Sequence, residues 1–321
     1  MNIRQNFSKH IYLIGAVVLA AGVLAFIGAP RLVWICVAIA GVVPVLIPDR
    51  RTIFVLITVF VLLPLLFPMR LPTDVTPAVR NLYEAIEDLE RGSVLLMSFD
   101  FDPATKVELY PAAKAFMRQA VQEGHTIITM ALWPLGVSLA EEATREVIID
   151  EWNAENPDDA YEYGRDYVHL PYMPGGVVVV NQLASSFEEV YPNDLRGTPL
   201  DDIPALRGVT NLGNVDFAFA LSSGDPGLRE WIMVASDRVG IPVGGAATAV
   251  SAPEFYPYLQ SGQLTGLLGG LKGAAEYETL LGVPDSAVAG MDAQSLAHLA
   301  IIIFIIVGNV MFFTSRRRGQ A

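Results

Sequence analysis

Ser93-Val94-Leu95-Leu96-Met97-Ser98-Phe99-Asp100-Phe101-Asp102 is a short apolar run that closes on two acids. A run apolar on both faces and this brief reads as a β-strand covered above and below, the situation of a parallel sheet. Moving outward, Thr126 to Leu132 and Val215 to Leu221 repeat the signature, and Asp166 to Leu170 and Ile241 to Gly245 give weaker copies. Helix-like segments separate them. Thr76 to Leu89 carries Val79, Leu82, Tyr83, Ile86 and Leu89 at helical spacing, and Val107 to Glu123 is closed by Gly124. Ser138 to Trp152 opens with Ser138 and Glu141 in capping-box spacing, and Pro226 to Val239 opens with Asp225 as N-cap and Pro226 at the first helical position. Val177 to Val190 and Leu264 to Leu281 complete the set, whereas Glu155 to Arg165 reads as an acidic surface loop. Strands joined through helices pair in parallel with right-handed crossovers. The expectation is an α/β fold with a doubly wound, mostly parallel sheet of about five strands, of the Rossmann or flavodoxin kind.

Four blocks free of Asp, Glu, Lys and Arg bracket this region: Ile11 to Ala29, Leu32 to Ile47, Ile53 to Phe67 and Leu296 to Phe313. A spanning helix needs about 20 apolar residues, so the outer two are long enough, and the inner two need flanking residues or form a re-entrant hairpin. The pattern predicts three N-terminal transmembrane helices and one at the C-terminus. The chain then divides into a membrane domain over 1–70, an acidic α/β domain over 71–293, and a final helix with a basic tail over 294–321. Arg4 and Lys9, Arg50 and Arg51, and Arg316 to Arg318 mark alternate flanks as basic. Because basic flanks stay inside, both termini are expected in the cytoplasm, with the soluble domain outside the plasma membrane. The first block is longer than a signal-peptide core and runs into Pro30, which argues against cleavage.

The chain holds 34 acids and 21 bases; the flanks and spans take Asp49 and nine bases, leaving 33 acids against 12 bases between Leu71 and Ala293. Such a surface repels nucleic acid and anionic lipid, so no nucleic-acid partner is expected. The single cysteine, Cys36, lies in the second block, so no intramolecular disulfide forms. The spans carry no ionisable group except His298, which suits an anchor or assembly surface better than a carrier.

In a doubly wound sheet the binding crevice lies beyond the carboxyl ends of the strands. That rule selects Asp100 and Asp102, Trp133, His169, Ser222, Ser223 and Asp225, and Thr248. Asp100 and Asp102 offer hard carboxylate oxygens of the kind that hold Mg²⁺ or Ca²⁺, although no cofactor is otherwise expected. Asp100-Phe-Asp102 at a strand end resembles the opening motif of haloacid-dehalogenase-type phosphatases. The resemblance implies a nucleophile at Asp100 and an acid at Asp102; here the threonine falls one residue late, at Thr105, and no downstream acidic pair supplies further metal ligands. An ordinary strand-to-helix turn accounts for the same residues. Ser222-Ser223-Gly224-Asp225 reads as an anion cradle or as a cap. His125 and His169 lack zinc-ligand spacing, and Lys272-Gly273 lacks the Walker sequence.

Gly266, Gly270 and Gly273 are expected on one helical face that permits close backbone approach to a partner or to the sheet. Phe255-Tyr256-Pro257-Tyr258 reads either as a candidate recognition loop, with Tyr256 and Tyr258 as contacts, or as packing that closes the crevice. The preferred reading is a membrane-anchored extracytoplasmic module that binds a ligand or partner within a membrane complex, the partner being another membrane protein or a second copy. The alternative is an outer-face metal-dependent hydrolase.

Overall fold

The computed structural model describes residues 31–46 and 50–318, and the first apolar block lies outside the described residues. They form two units: one takes residues up to Pro72 together with Val288 onward, the other is Thr73–Ala287.

In the first unit, α1 (Arg31–Leu46) and α2 (Arg50–Leu66) occupy the second and third apolar blocks. The closing helix α11 (Ser286–Arg318) is 33 residues long. Leu296, Ala300, Ile303 and Val307 recur every three or four residues and bury one stripe of α11 among Val33, Cys36, Val37, Ala40 and Phe60. Outward, α2 and α11 expose Phe54, Leu66, Ile302 and Ile305, each more than half accessible. Among the described residues only α11, over Ser286–Phe313, is long and apolar enough to cross a membrane. Asp292 is buried, and its carboxylate accepts the backbone N–H groups of Met69 (2.7 Å), Arg70 (2.8 Å) and Leu71 (3.0 Å), tying the segment after α2 to the last helix.

The second unit is an α/β fold around six parallel strands in the order β3-β2-β1-β4-β5-β6. These are β1 (Val94–Asp100), β2 (Thr126–Met130), β3 (Tyr167–His169), β4 (Phe217–Ser222), β5 (Val243–Ala247) and β6 (Gly266–Gly269). This is the Rossmann strand order, with its switch point between β1 and β4. The connecting helices are α3 (Pro77–Glu87), α4 (Lys106–Gln122), α5 (Gly136–Thr144), α6 (Val177–Leu183), α7 (Phe187–Val190), α8 (Leu228–Trp231), α9 (Ala252–Ser261) and α10 (Gly270–Leu281). Two of them run on as π-helix, α5 through Arg145–Trp152 and α8 through Ile232–Val239. One sheet face packs on α4, where Phe116 stacks flat on Phe219 with ring centres 3.9 Å apart. The other face is covered by Trp231, Tyr191, Phe187 and Leu183.

Several expectations are corrected. The sheet has a sixth strand, because Leu264 to Leu281 is not one helix: Gly266–Gly269 pairs with β5 before α10 begins. The break is local, since Gly270 adopts φ +56, a left-handed conformation that favours glycine. The three glycines therefore share no helical face. Gly266 lies under α3, where a Cβ would stand 2.5 Å from that of Leu82, and a Cβ on Gly273 would stand 2.7 Å from the Leu268 backbone. Phe255 to Tyr258 lies inside α9 rather than in a loop, because Pro253 starts that helix and buried Ala252 and Phe255 anchor it. Ser138 is not an N-cap: α5 starts at Gly136, and the Ser138 hydroxyl donates to the Leu135 carbonyl. Asp225 does not cap its helix either. α8 begins after Gly227, whose N–H donates to the Glu230 carboxylate at 2.7 Å.

Candidate functional site

β1 ends at Asp100 directly beside Ser222, the last residue of β4, so the switch point is walled by a carboxylate and a hydroxyl. Asp100 is fully buried. Ser98, two residues earlier on the same face of β1, donates to Oδ1 at 2.7 Å. The Leu132 N–H, just past β2, donates to the same oxygen at 2.8 Å, and the Trp231 indole N–H donates to Oδ2 at 3.2 Å. Burial pushes the Asp100 carboxyl up to about 7; the Leu132, Ser98 and Trp231 hydrogen bonds oppose that rise, and nearby Glu230 adds to it.

The crevice mouth is strapped. The Trp133 indole N–H, from the β2 connection, donates to the Pro226 carbonyl of the β4 connection at 2.7 Å. Gly136 lets α5 press on the end of β1: a Cβ there would overlap the Phe99 carbonyl oxygen and lie 2.7 Å from the Ala131 methyl. Gly227 does the same beside the Ser222 hydroxyl.

Of the residues selected from the sequence, the fold brings Asp100, Ser222 and Ser223 together, with the Ser223 N–H donating to the Asp100 carbonyl at 3.1 Å. The Ser222 hydroxyl donates to the Gly224 carbonyl at 2.9 Å. Asp102 is spent locally, accepting the Ala104 N–H at 2.9 Å. Asp225 is exposed and lies 3.9 Å from Arg229. Thr248 is buried after β5, its hydroxyl 3.1 Å from that of Ser251. His169 ends β3 beside the Thr129 hydroxyl at 2.5 Å, and burial, helped by Arg196, depresses it to about 4. It is therefore a neutral core imidazole at ordinary pH. Tyr256 and Gly273 line a separate cavity of about 260 Å³ with Lys272 and Glu276. Glu276 there holds the Thr76 hydroxyl and N–H, both at 2.7 Å. Tyr258 is half-buried behind Phe255, and Gly270 lies against Ala249 and Glu108. Among the described residues, no group of three or more His, Cys, Asp or Glu side chains is placed to hold a metal ion.

Sequence reasoning missed Ser98, Trp231 and Gly136. Ser98 was detectable, because alternation along β1 puts it on the face of Asp100. Trp231 had no local signal, since 131 residues separate it from the carboxylate it touches.

No protein-family model matches the chain, and comparison with curated proteins finds no match.

Proposed function

We propose that the chain is a membrane-anchored binding module that docks a protein partner on the carboxyl end of its sheet. Because all strands run parallel, every strand-to-helix connection emerges at that one end. Beside these connections four apolar side chains stand in solvent: Val107 in the first turn of α4 after β1 (74% exposed), Leu135 after β2 (52%), Val178 in the first turn of α6 after β3 (57%) and Val250 after β5 (90%). This rim carries the reading, since exposed apolar groups gathered on one face mark interaction surfaces. The centre beneath it is closed by Trp133 and by the donors on Asp100, so the face offers contact area rather than a chamber. For the same reason a hydrolase built on Asp100 and Asp102 is the less favoured reading, because both carboxylates already serve the protein's own hydrogen bonds.

The partner is a different protein with an apolar patch edged by Lys and Arg. The excess of acids, 33 against 12 between Leu71 and Ala293, opposes a second copy of the same surface. In this reading three N-terminal spans and α11 hold the module on the outer face of the plasma membrane, as part of a membrane complex, with both termini inside. Photo-crosslinking from position 250 in intact cells tests the docking. One defined partner is expected, lost in the Leu135→Glu/Val250→Glu double variant and kept in Glu162→Gln, which precedes β3 at the amino end of the sheet. Equal crosslinking in the double variant would refute the docking face. A reporter fused after Arg318 that is active only outside the cell would refute the orientation.

A further inference from the structure

One stripe of α11 is committed within its own unit, where Leu296, Ala300, Ile303 and Val307 are buried. At about 3.6 residues per turn, the opposite side of the helix carries His298, Ile302, Ile305, Asn309 and Phe312. All five are exposed. Their spacing alternates between four residues and three, which is the heptad seam along which two helices pack side by side.

Contact with lipid does not account for the polar members of that seam. Asn309 lies within the last apolar block, and its amide donates one N–H to the Ile305 carbonyl at 2.8 Å. The carboxamide oxygen and the other N–H have no partner among the described residues. A polar group facing hydrocarbon is costly, and in spanning helices such groups hold a neighbouring helix. Gly308 beside it leaves open space, with nothing within 4 Å of a Cβ built there, so a neighbour can approach closely.

The chain's own apolar blocks do not supply the missing partner. Asn309 is the sole Asn or Gln in all four, Tyr12 is the sole polar side chain between Ile11 and Ala29, and the Thr58 hydroxyl already donates to the Phe54 carbonyl at 2.9 Å. A second copy supplies it. Copies inserted in the same orientation, related by a two-fold axis along the membrane normal, set Asn309 against Asn309 at equal depth, and a carboxamide is donor and acceptor at once. Screening over about 8 Å at physiological salt keeps repulsion between the two acidic domains from overriding a contact made in the bilayer.

We propose that α11 pairs with α11 of a second copy in a parallel, two-fold contact along His298, Ile302, Ile305, Asn309 and Phe312, with the two Asn309 carboxamides hydrogen-bonded to each other. The contact rests on the reading of α11 as a membrane span and uses none of the rim residues assigned to the protein partner.

The test uses the full chain in cell membranes on a Cys36→Ala background, with one cysteine introduced as Ile305→Cys, Phe312→Cys or Met311→Cys. Met311 is next to Phe312 in depth but off the seam. Mild oxidation should link copies in the first two variants and several-fold less in the third. Co-capture of two differently tagged copies should fall about three- to tenfold in Asn309→Leu, the range of interhelical polar contacts in bilayers, and return in Asn309→Gln. Release of the chain by alkaline washing would overturn the spanning reading and the contact with it. In membranes that retain the chain, equal linking in Met311→Cys and Phe312→Cys, no linking in Ile305→Cys and Phe312→Cys, or co-capture unchanged in Asn309→Leu would overturn the contact alone. The last two results are those expected if residues 11–29 or a different membrane protein cover the seam.

Discussion

Replacing Asp100 by Asn makes the energetics of the closed switch point measurable. An ordinary aspartate titrates near 3.8, whereas Asp100 in the folded chain titrates at about 7. Between those values the folded state holds a proton that the unfolded chain has released, so the stability contributed by this group falls as pH rises through the window and levels off above it. At about 1.36 kcal/mol per pH unit, the gap amounts to ~4 kcal/mol. Asn cannot titrate. It keeps one oxygen for Ser98 and Leu132 but turns an amide N–H₂ toward Trp231, a mismatch worth about 1–3 kcal/mol at every pH. The difference in unfolding free energy between variant and parent should therefore move in favour of Asn by up to ~4 kcal/mol between pH 4 and pH 8. Urea unfolding of the full chain in nanodiscs, followed by tryptophan fluorescence, reads it directly, since Trp231 touches the carboxylate. A difference that stays flat over this range, or that drifts in favour of Asp, would refute the assignment of Asp100 as a buried carboxyl that resists ionisation.

Other perturbations test the packing around it. Gly136→Ala forces a methyl into the Phe99 carbonyl and should cost about 1–3 kcal/mol, seen as a lower urea midpoint; an unchanged midpoint would mean that α5 can lift off β1 freely. Trp133→Phe removes the strap to Pro226 and should cost about 0.5–1.5 kcal/mol, with faster amide exchange confined to the two connections it joins. Asp292→Ala leaves the Met69, Arg70 and Leu71 N–H groups without their acceptor, and trypsin should then cut after Arg70 markedly faster than in the parent.

The amino-acid order alone was enough for the α/β alternation, for the buried strands β1, β2 and β4, and for an apolar final helix. Each of these signals is local: a run of apolar residues of strand length, or a block without charge, burdens the chain with the same burial requirement wherever it sits. The sixth strand escaped that reading because Gly266-Leu-Leu-Gly269 is only four residues long and runs straight into the helix after it, so that only its pairing with β5 sets it apart. Likewise the aspartates looked alike along the chain. Folding separated them, sealing Asp100 under donors from Ser98, Leu132 and Trp231 while leaving Asp102 to cap its own turn. The apolar rim and the ion pair of Arg118 with Glu151 belong to the same category. Their residues are scattered in sequence and acquire meaning only because parallel strands deliver every strand-to-helix connection to one end, and because a π turn carries Glu151 round to face Arg118.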